Sequence, residues 1–232
     1  MPNSELIARV AELREKGRTP KEIARALGMR PAEVAPLIRA VGATAPKEEA
    51  PLVGCWVTDN WSAGLTVAGD HPDWPGAGST DPDSESGLMG VLVAREHGSS
   101  VSAVGFLVDV WCMGVKNVHG PKTMNRAKLP DFRRNFFKAF SQPSVPAPLD
   151  LARHVVFGAV EYARGLGLEP YPDYAKCAGH LGEWAGPSDI TFGRDGKPLY
   201  INGPRDDTFG VISALRKSVG DDNFHYVLGG PA

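Results

Sequence analysis

Two stretches in the middle of the chain, Leu88 to Glu96 and Val101 to Met113, are rich in apolar residues, and only His97-Gly98-Ser99-Ser100 separates them. Val91-Leu92-Val93-Ala94 and Gly105-Phe106-Leu107-Val108 lack the in–out alternation of a half-exposed sheet. Both therefore read as strands covered on both faces and joined by a hairpin loop. Neither approaches the roughly 20 apolar residues that a membrane-spanning helix needs. A chain of 232 residues built around such a pair has room for one domain of about 150–190 residues and a small appendage.

Helices follow the strands. Between Leu149 and Leu166, Ala152, Val155, Val156, Ala159, Val160 and Ala163 recur at helical spacing as one buried face, stopped by Gly165, Gly167 and Pro170. Pro130 to Phe140 reads as a short basic helix, Pro172 to Leu181 as a weaker one, and Thr208 to Val219 as a helix capped by Asp206 or Asp207. Asp189 to Asn202 reads as a hairpin turning at Gly193-Arg194-Asp195-Gly196, and Phe224 to Leu228 as a last strand. Strands first and helices afterwards predict an α+β domain over residues 52–232 rather than a regular βαβ winding. Residues 44–51, with Pro46 and Pro51 and no apolar periodicity, read as a linker.

The net charge of −2 excludes a strongly basic, histone-like protein, yet the charge is unevenly spread. Residues 51–98 hold seven carboxylates and only Arg95, and Gly69 to Gly87 reads as a surface loop too poor in apolar groups to pack. Residues 116–138 reverse the sign, with Lys116, Lys122, Arg126, Lys128, Arg133, Arg134 and Lys138 against Asp131. Phe132, Phe136 and Phe137 interleave with these cations. That pattern fits a solvated helix face over a phenylalanine core, or a phosphate-binding patch. Cys55, Cys112 and Cys177 are odd in number and widely spaced. They predict no disulfide framework, which together with an N-terminus lacking any secretory pattern points to the cytoplasm.

The first 43 residues carry the most specific spacing. A small residue, Ala24, is followed four positions later by a turn glycine, Gly28, and then by the apolar Val34 and Leu37. That is the spacing of a helix-turn-helix, in which two helices cross steeply over a short turn. Ser4 to Lys16 supplies a third helix with Leu6, Ile7, Val10 and Leu13 on one face, so residues 1–43 are expected to form a trihelical DNA-binding module. Pro36 stands inside the second helix of the motif and argues for a kink or a later start. The groups expected to face a groove are Arg30, Glu33 and Arg39, with Lys16, Arg18, Lys21 and Arg25 near the phosphates. A helical docking module without nucleic acid has the same spacing.

Chemistry in the large domain is weakly marked. Asp109, Cys112 and Lys116 cluster at a strand end, where sites are built, but an Asp109–Lys116 ion pair beside a buried thiol accounts for them equally. Asp109, Glu161 and Asp206 or Asp207 are carboxylates of the kind that hold magnesium in nucleases, with no spacing that enforces convergence. Cys177 and His180 lack a second ligand pair for zinc, and Gly114 to Thr123 departs from a phosphate loop at Pro121. No metal and no cofactor is expected.

Phe106 to Asn117 (FLVDVWCMGVKN), Leu151 to Pro170 (LARHVVFGAVEYARGLGLEP) and Phe192 to Pro204 (FGRDGKPLYINGP) resemble a family of helix-turn-helix proteins of high-GC actinobacteria. The resemblance implies the two-part architecture and brings with it no activity, substrate or catalytic residue. The combined expectation is a DNA-binding protein, in the role of a transcriptional regulator. Its α+β domain would sense a ligand, form homo-oligomers or add phosphate contacts, with DNA and no membrane as its partner. The alternatives are a metal-dependent nuclease or hydrolase delivered to nucleic acid by the module, and a protein-interaction adaptor.

Overall fold

The computed structural model describes residues 3–15, 18–30, 33–37, 49–76 and 87–229, and the chain divides into two compact units, Met1–Glu49 and Ala50–Ala232. In the first unit, α1 (Asn3–Glu15) precedes α2 (Pro20–Leu27), and a further helical segment, α3, covers residues 33–37. Thr19 and Glu22 form a capping box at the start of α2, with Pro20 in its first turn, where a missing amide costs nothing. Gly28 ends it at φ 63, a left-handed cap that an L side chain would resist. Val10, Ile23, Ala24 and Val34 are buried together, with Leu13, Leu27 and Leu37 packed round them. The described part of α3 runs through Pro36.

The second unit is mixed α+β. Its core is a five-stranded antiparallel sheet in the order β5-β4-β3-β1-β6, from β1 (Leu52–Thr58), β3 (Leu88–His97), β4 (Ser100–Asp109), β5 (Gly114–Met124) and β6 (Ser144–Pro146). β3 and β4 pair along their full length, from Leu88↔Asp109 to His97↔Ser100, across the turn Gly98-Ser99. Alternate side chains of both strands are buried on opposite faces. Leu92, Ala94, Val101 and Ala103 meet Leu129 and Phe137 of α4 (Leu129–Phe137), with Phe132, Phe136 and Phe140 closing that layer. Val91, Val93, Val104, Phe106 and Val108 pack against α5 (Leu149–Gly165) and the short α6 (Tyr174–Cys177). Helices on both faces explain the apolar runs, since neither side of β3 or β4 meets water.

Beyond one end of the sheet, Cys112, Leu166, Tyr200, Val211, Leu215 and Phe224 form a separate core. It joins the β4–β5 turn to β8 (Leu199–Ile201), α7 (Thr208–Val219) and β9 (His225–Val227). The hairpin expected over residues 189–202 is not formed. β7 (Ile190–Thr191) pairs with β2 (Thr66–Val67), and β8 pairs in parallel with β9. Only the isolated bridge Arg194↔Lys197 remains of the turn. The described beginning of the expected surface loop, residues 69–76, is better anchored than its composition implies: Trp74 is buried and its Nε1 donates to Asp150 Oδ2 at 3.1 Å. Residues 77–86 of that stretch lie outside the described residues, as do residues 44–48 of the expected linker. Among the described residues no helix is long and apolar enough to cross a membrane.

Candidate functional site

The strand-end cluster is ordered by backbone amides. Asp109, 5 % exposed, closes β4, and its Oδ1 accepts the N–H groups of Trp111 and Cys112, each at 3.0 Å. Burial is the largest influence on its carboxyl and pushes it up to about 6, against the pull of Lys116 and of the backbone donors from Trp111, Cys112 and Met113. Cys112 is fully buried and burial raises its thiol, so it stays protonated and unreactive. The expected Asp109–Lys116 ion pair is replaced by another. Lys116 Nζ lies 2.7 Å from Asp206 Oδ2, with side chains 11 % and 9 % exposed. Asp206 Oδ2 also accepts from Gly203 N at 2.8 Å and faces Tyr200 Oη at 3.4 Å. The reason is local: Asp109 is occupied by the amides of its own turn, while the loop entering α7 brings Asp206 onto β5.

The other carboxylates do not join this pair. Asp207 caps α7 by accepting from Gly210 N at 3.0 Å. Glu161, on the outer face of α5, accepts from Trp184 Nε1 at 2.9 Å. Cys177 Sγ donates to Gly120 O, and His180 Nε2 lies 2.8 Å from Ser102 Oγ, so these two side chains are engaged separately. Among the described residues no three His, Cys, Asp or Glu side chains are grouped as metal ligands. The Lys116–Asp206 pair ties the end of the sheet to the loop that enters α7.

A second cluster surrounds His154 and Glu161, which stand seven apart in the sequence and so on similar faces of one helix, a spacing that reads as a pair of surface polar residues. Asp150, His154, Phe157 and Glu161 form a stripe on α5 opposite its apolar face, and two loops lie against it. Trp74 and Trp184 each approach His154 edge-on at 5.1 Å, and His71 stacks on Trp74 at 3.8 Å. Asp189 N donates to His154 Nδ1 at 2.9 Å, and Ser188 Oγ donates to His154 O at 3.0 Å. Through these bonds His154 fastens the two loops to α5. The recurrence i, i+4, i+7, i+11 was the available signal.

The basic residues fall into two groups, one in each unit. In the first, Lys16 and Arg39 lie outside the described residues. Arg18 pairs with Glu22 at 3.5 Å, while Lys21 and Arg25 are exposed on α2. Arg30 and Glu33 hold each other: Nη2 lies 2.6 Å from Glu33 Oε1, and Glu33 Oε2 accepts Arg30 N at 2.9 Å. These bonds, the side-chain one foremost, hold the Glu33 carboxyl below its ordinary value. In the second unit, Lys122 Nζ stands 5.6 Å over the Phe132 ring and the Arg133 guanidinium 5.2 Å over Trp56. Arg126 pairs with Glu96 at 2.7 Å and Arg134 with Asp131, while Lys128 is exposed. No protein-family model, curated protein or solved structure matches the chain.

Proposed function

We propose that the Met1–Glu49 unit is a DNA-binding helix-turn-helix module and that the protein works on DNA, with transcriptional regulation as its role. The observation that carries this reading is the division of α2 into two faces. Ile23 and Ala24 are buried beside Val10 and Val34, and the small Ala24 lets a second helix approach closely. Lys21 and Arg25, one turn apart, point outward, and among the described residues neither has an acidic partner. A helix of this kind lies across the phosphate backbone while the next one enters the groove. Because Arg30 is engaged by Glu33, the phosphates supply most of the affinity and base edges little. Neither a nuclease nor an adaptor has a comparable support, since the carboxylates Asp109, Glu161, Asp206 and Asp207 each serve a different partner.

The test is titration of the full chain onto a labelled random duplex at several salt concentrations, read by fluorescence anisotropy. Binding at low salt is expected, with log K falling by about 0.9 per phosphate for each tenfold rise in salt. Lys21→Ala with Arg25→Ala should lower that slope by about 2 and weaken all sequences alike. Absence of binding at low salt removes the reading.

A further inference from the structure

We infer that the α4 layer of the second unit is a separate surface for the phosphate backbone of nucleic acid, so that the chain grips DNA at two places. The inference rests on the DNA reading for the kind of polyanion, and on the second unit alone for the surface. That unit is net acidic, with sixteen Lys and Arg against twenty Asp and Glu. Six of the sixteen, Lys122, Arg126, Lys128, Arg133, Arg134 and Lys138, nevertheless fall within residues 122–138, from the end of β5 to the residue that follows α4. Glu96 and Asp131 each answer one arginine. Lys122, Lys128 and Lys138 are exposed and, among the described residues, have no acidic partner.

The layer's construction shows which polyanion it suits. Lys122 belongs to β5, while the ring beneath Arg133 belongs to Trp56 of β1, three strands away in the sheet. Three strand spacings amount to about 14 Å. A duplex presents one charge per roughly 1.7 Å of its axis, so a spread of this size meets several phosphates, whereas one acidic side chain would engage a single cation. The rings lie beneath the Lys122 ammonium and the Arg133 guanidinium and hold these charged ends in place, which reduces the entropy lost on binding.

An anionic membrane is the competing polyanion, and the apolar residues argue against it. Surface-seeking helices insert large apolar side chains into lipid. Here Leu129 and Phe137 are buried on the sheet, with Phe132 and Phe136 packed against them. The exposed large apolar residues of the described chain, Leu52, Leu88, Tyr171, Phe209, Tyr226, Val227 and Leu228, all lie outside residues 122–140. The layer has charge to offer and nothing to insert.

The experiment compares three full-length proteins on the same random duplex: the parent, Lys21→Ala/Arg25→Ala, and Lys122→Ala/Lys128→Ala/Lys138→Ala. The three lysines are exposed, so the triple variant should melt like the parent. Its log K–log salt slope should fall by about 2.7, uniformly across sequences. Arg133→Ala/Arg134→Ala is the second variant and should lower the slope by about 2. Unchanged slopes in both α4-layer variants, with the α2 variant weakened, overturn the inference and leave the proposed function standing. Lower slopes in the α4-layer variants with an unaffected α2 variant uphold the inference and remove the helix-turn-helix from the contact. Sedimentation of the parent, but not the triple variant, with phosphatidylserine vesicles in the absence of duplex binding overturns the assignment to nucleic acid.

Discussion

Gly114→Ala is expected to destabilise the second unit by about 2–4 kcal/mol, lowering the melting temperature by roughly 5–15 °C. Gly114 opens β5 at φ 64, a conformation that costs an L residue about 1–2 kcal/mol. A methyl group there would also lie 2.7 Å from Ala159 O and 3.0 Å from Ala163 Cβ, both on α5. The carbonyl is part of a helix whose Leu151, Val155 and Ala159 are fully buried against the sheet, so it cannot withdraw without opening that contact. Overpacking of this kind adds about 1–3 kcal/mol. Gly165→Ala, at the end of the same helix, meets nothing within 4 Å and should change stability by less than about 1 kcal/mol in either direction. Thermal melts of the two variants beside the parent decide it, and equal melting of Gly114→Ala and Gly165→Ala would show that the sheet does not close on α5 at this residue.

Elements whose reason lies within their own residues were legible in the sequence. Two apolar runs over a short turn made β3 and β4, and the apolar stripe from Ala152 to Ala163 made α5. β5 was hidden because it is an edge strand. Lys116, Lys122 and Pro121 are the residue types that keep an open edge from pairing with other chains, and they make a strand read as a loop. The hairpin expected over residues 189–202 failed for the opposite reason. Its turn chemistry was sound, but Thr191 pairs with Thr66 and Tyr200 with Tyr226, partners that no local spacing announces.

The same distinction governs the sites. The cations of residues 122–138 were visible as a charge run, whereas the ring beneath Arg133 comes from Trp56 of β1, which no local spacing announces. The partner of Lys116 was not visible, because Asp206 stands 90 positions away and is brought there by the loop into α7. His154 and Glu161 were legible as one face of α5, whereas Trp74 and Trp184 arrive from stretches dominated by glycine and proline.

Asp109 supplies the sharpest pH prediction. Its carboxyl is shifted by burial from 3.8 to about 6, so the folded chain keeps a proton that the unfolded chain releases. Below pH 4 both states are protonated and the contribution to stability is complete. Between about pH 4 and 6 the unfolded state binds fewer protons, so stability falls as the pH rises, and the loss levels off near 3 kcal/mol above pH 6. Asp109→Asn keeps an oxygen for the amides of Trp111 and Cys112 without a charge to bury. The variant should therefore lose the pH slope of that window and be at least as stable as the parent at pH 7. Lys116 retains Asp206 in the variant, so no other buried charge is orphaned. Urea denaturation of parent and variant at intervals from pH 4 to pH 8 measures both slopes. A variant that is weaker than the parent at pH 7 and equal to it at pH 4 would mean that the ionised Asp109, held by Lys116 and three backbone amides, stabilises the fold, and that burial is not the dominant influence at this strand end.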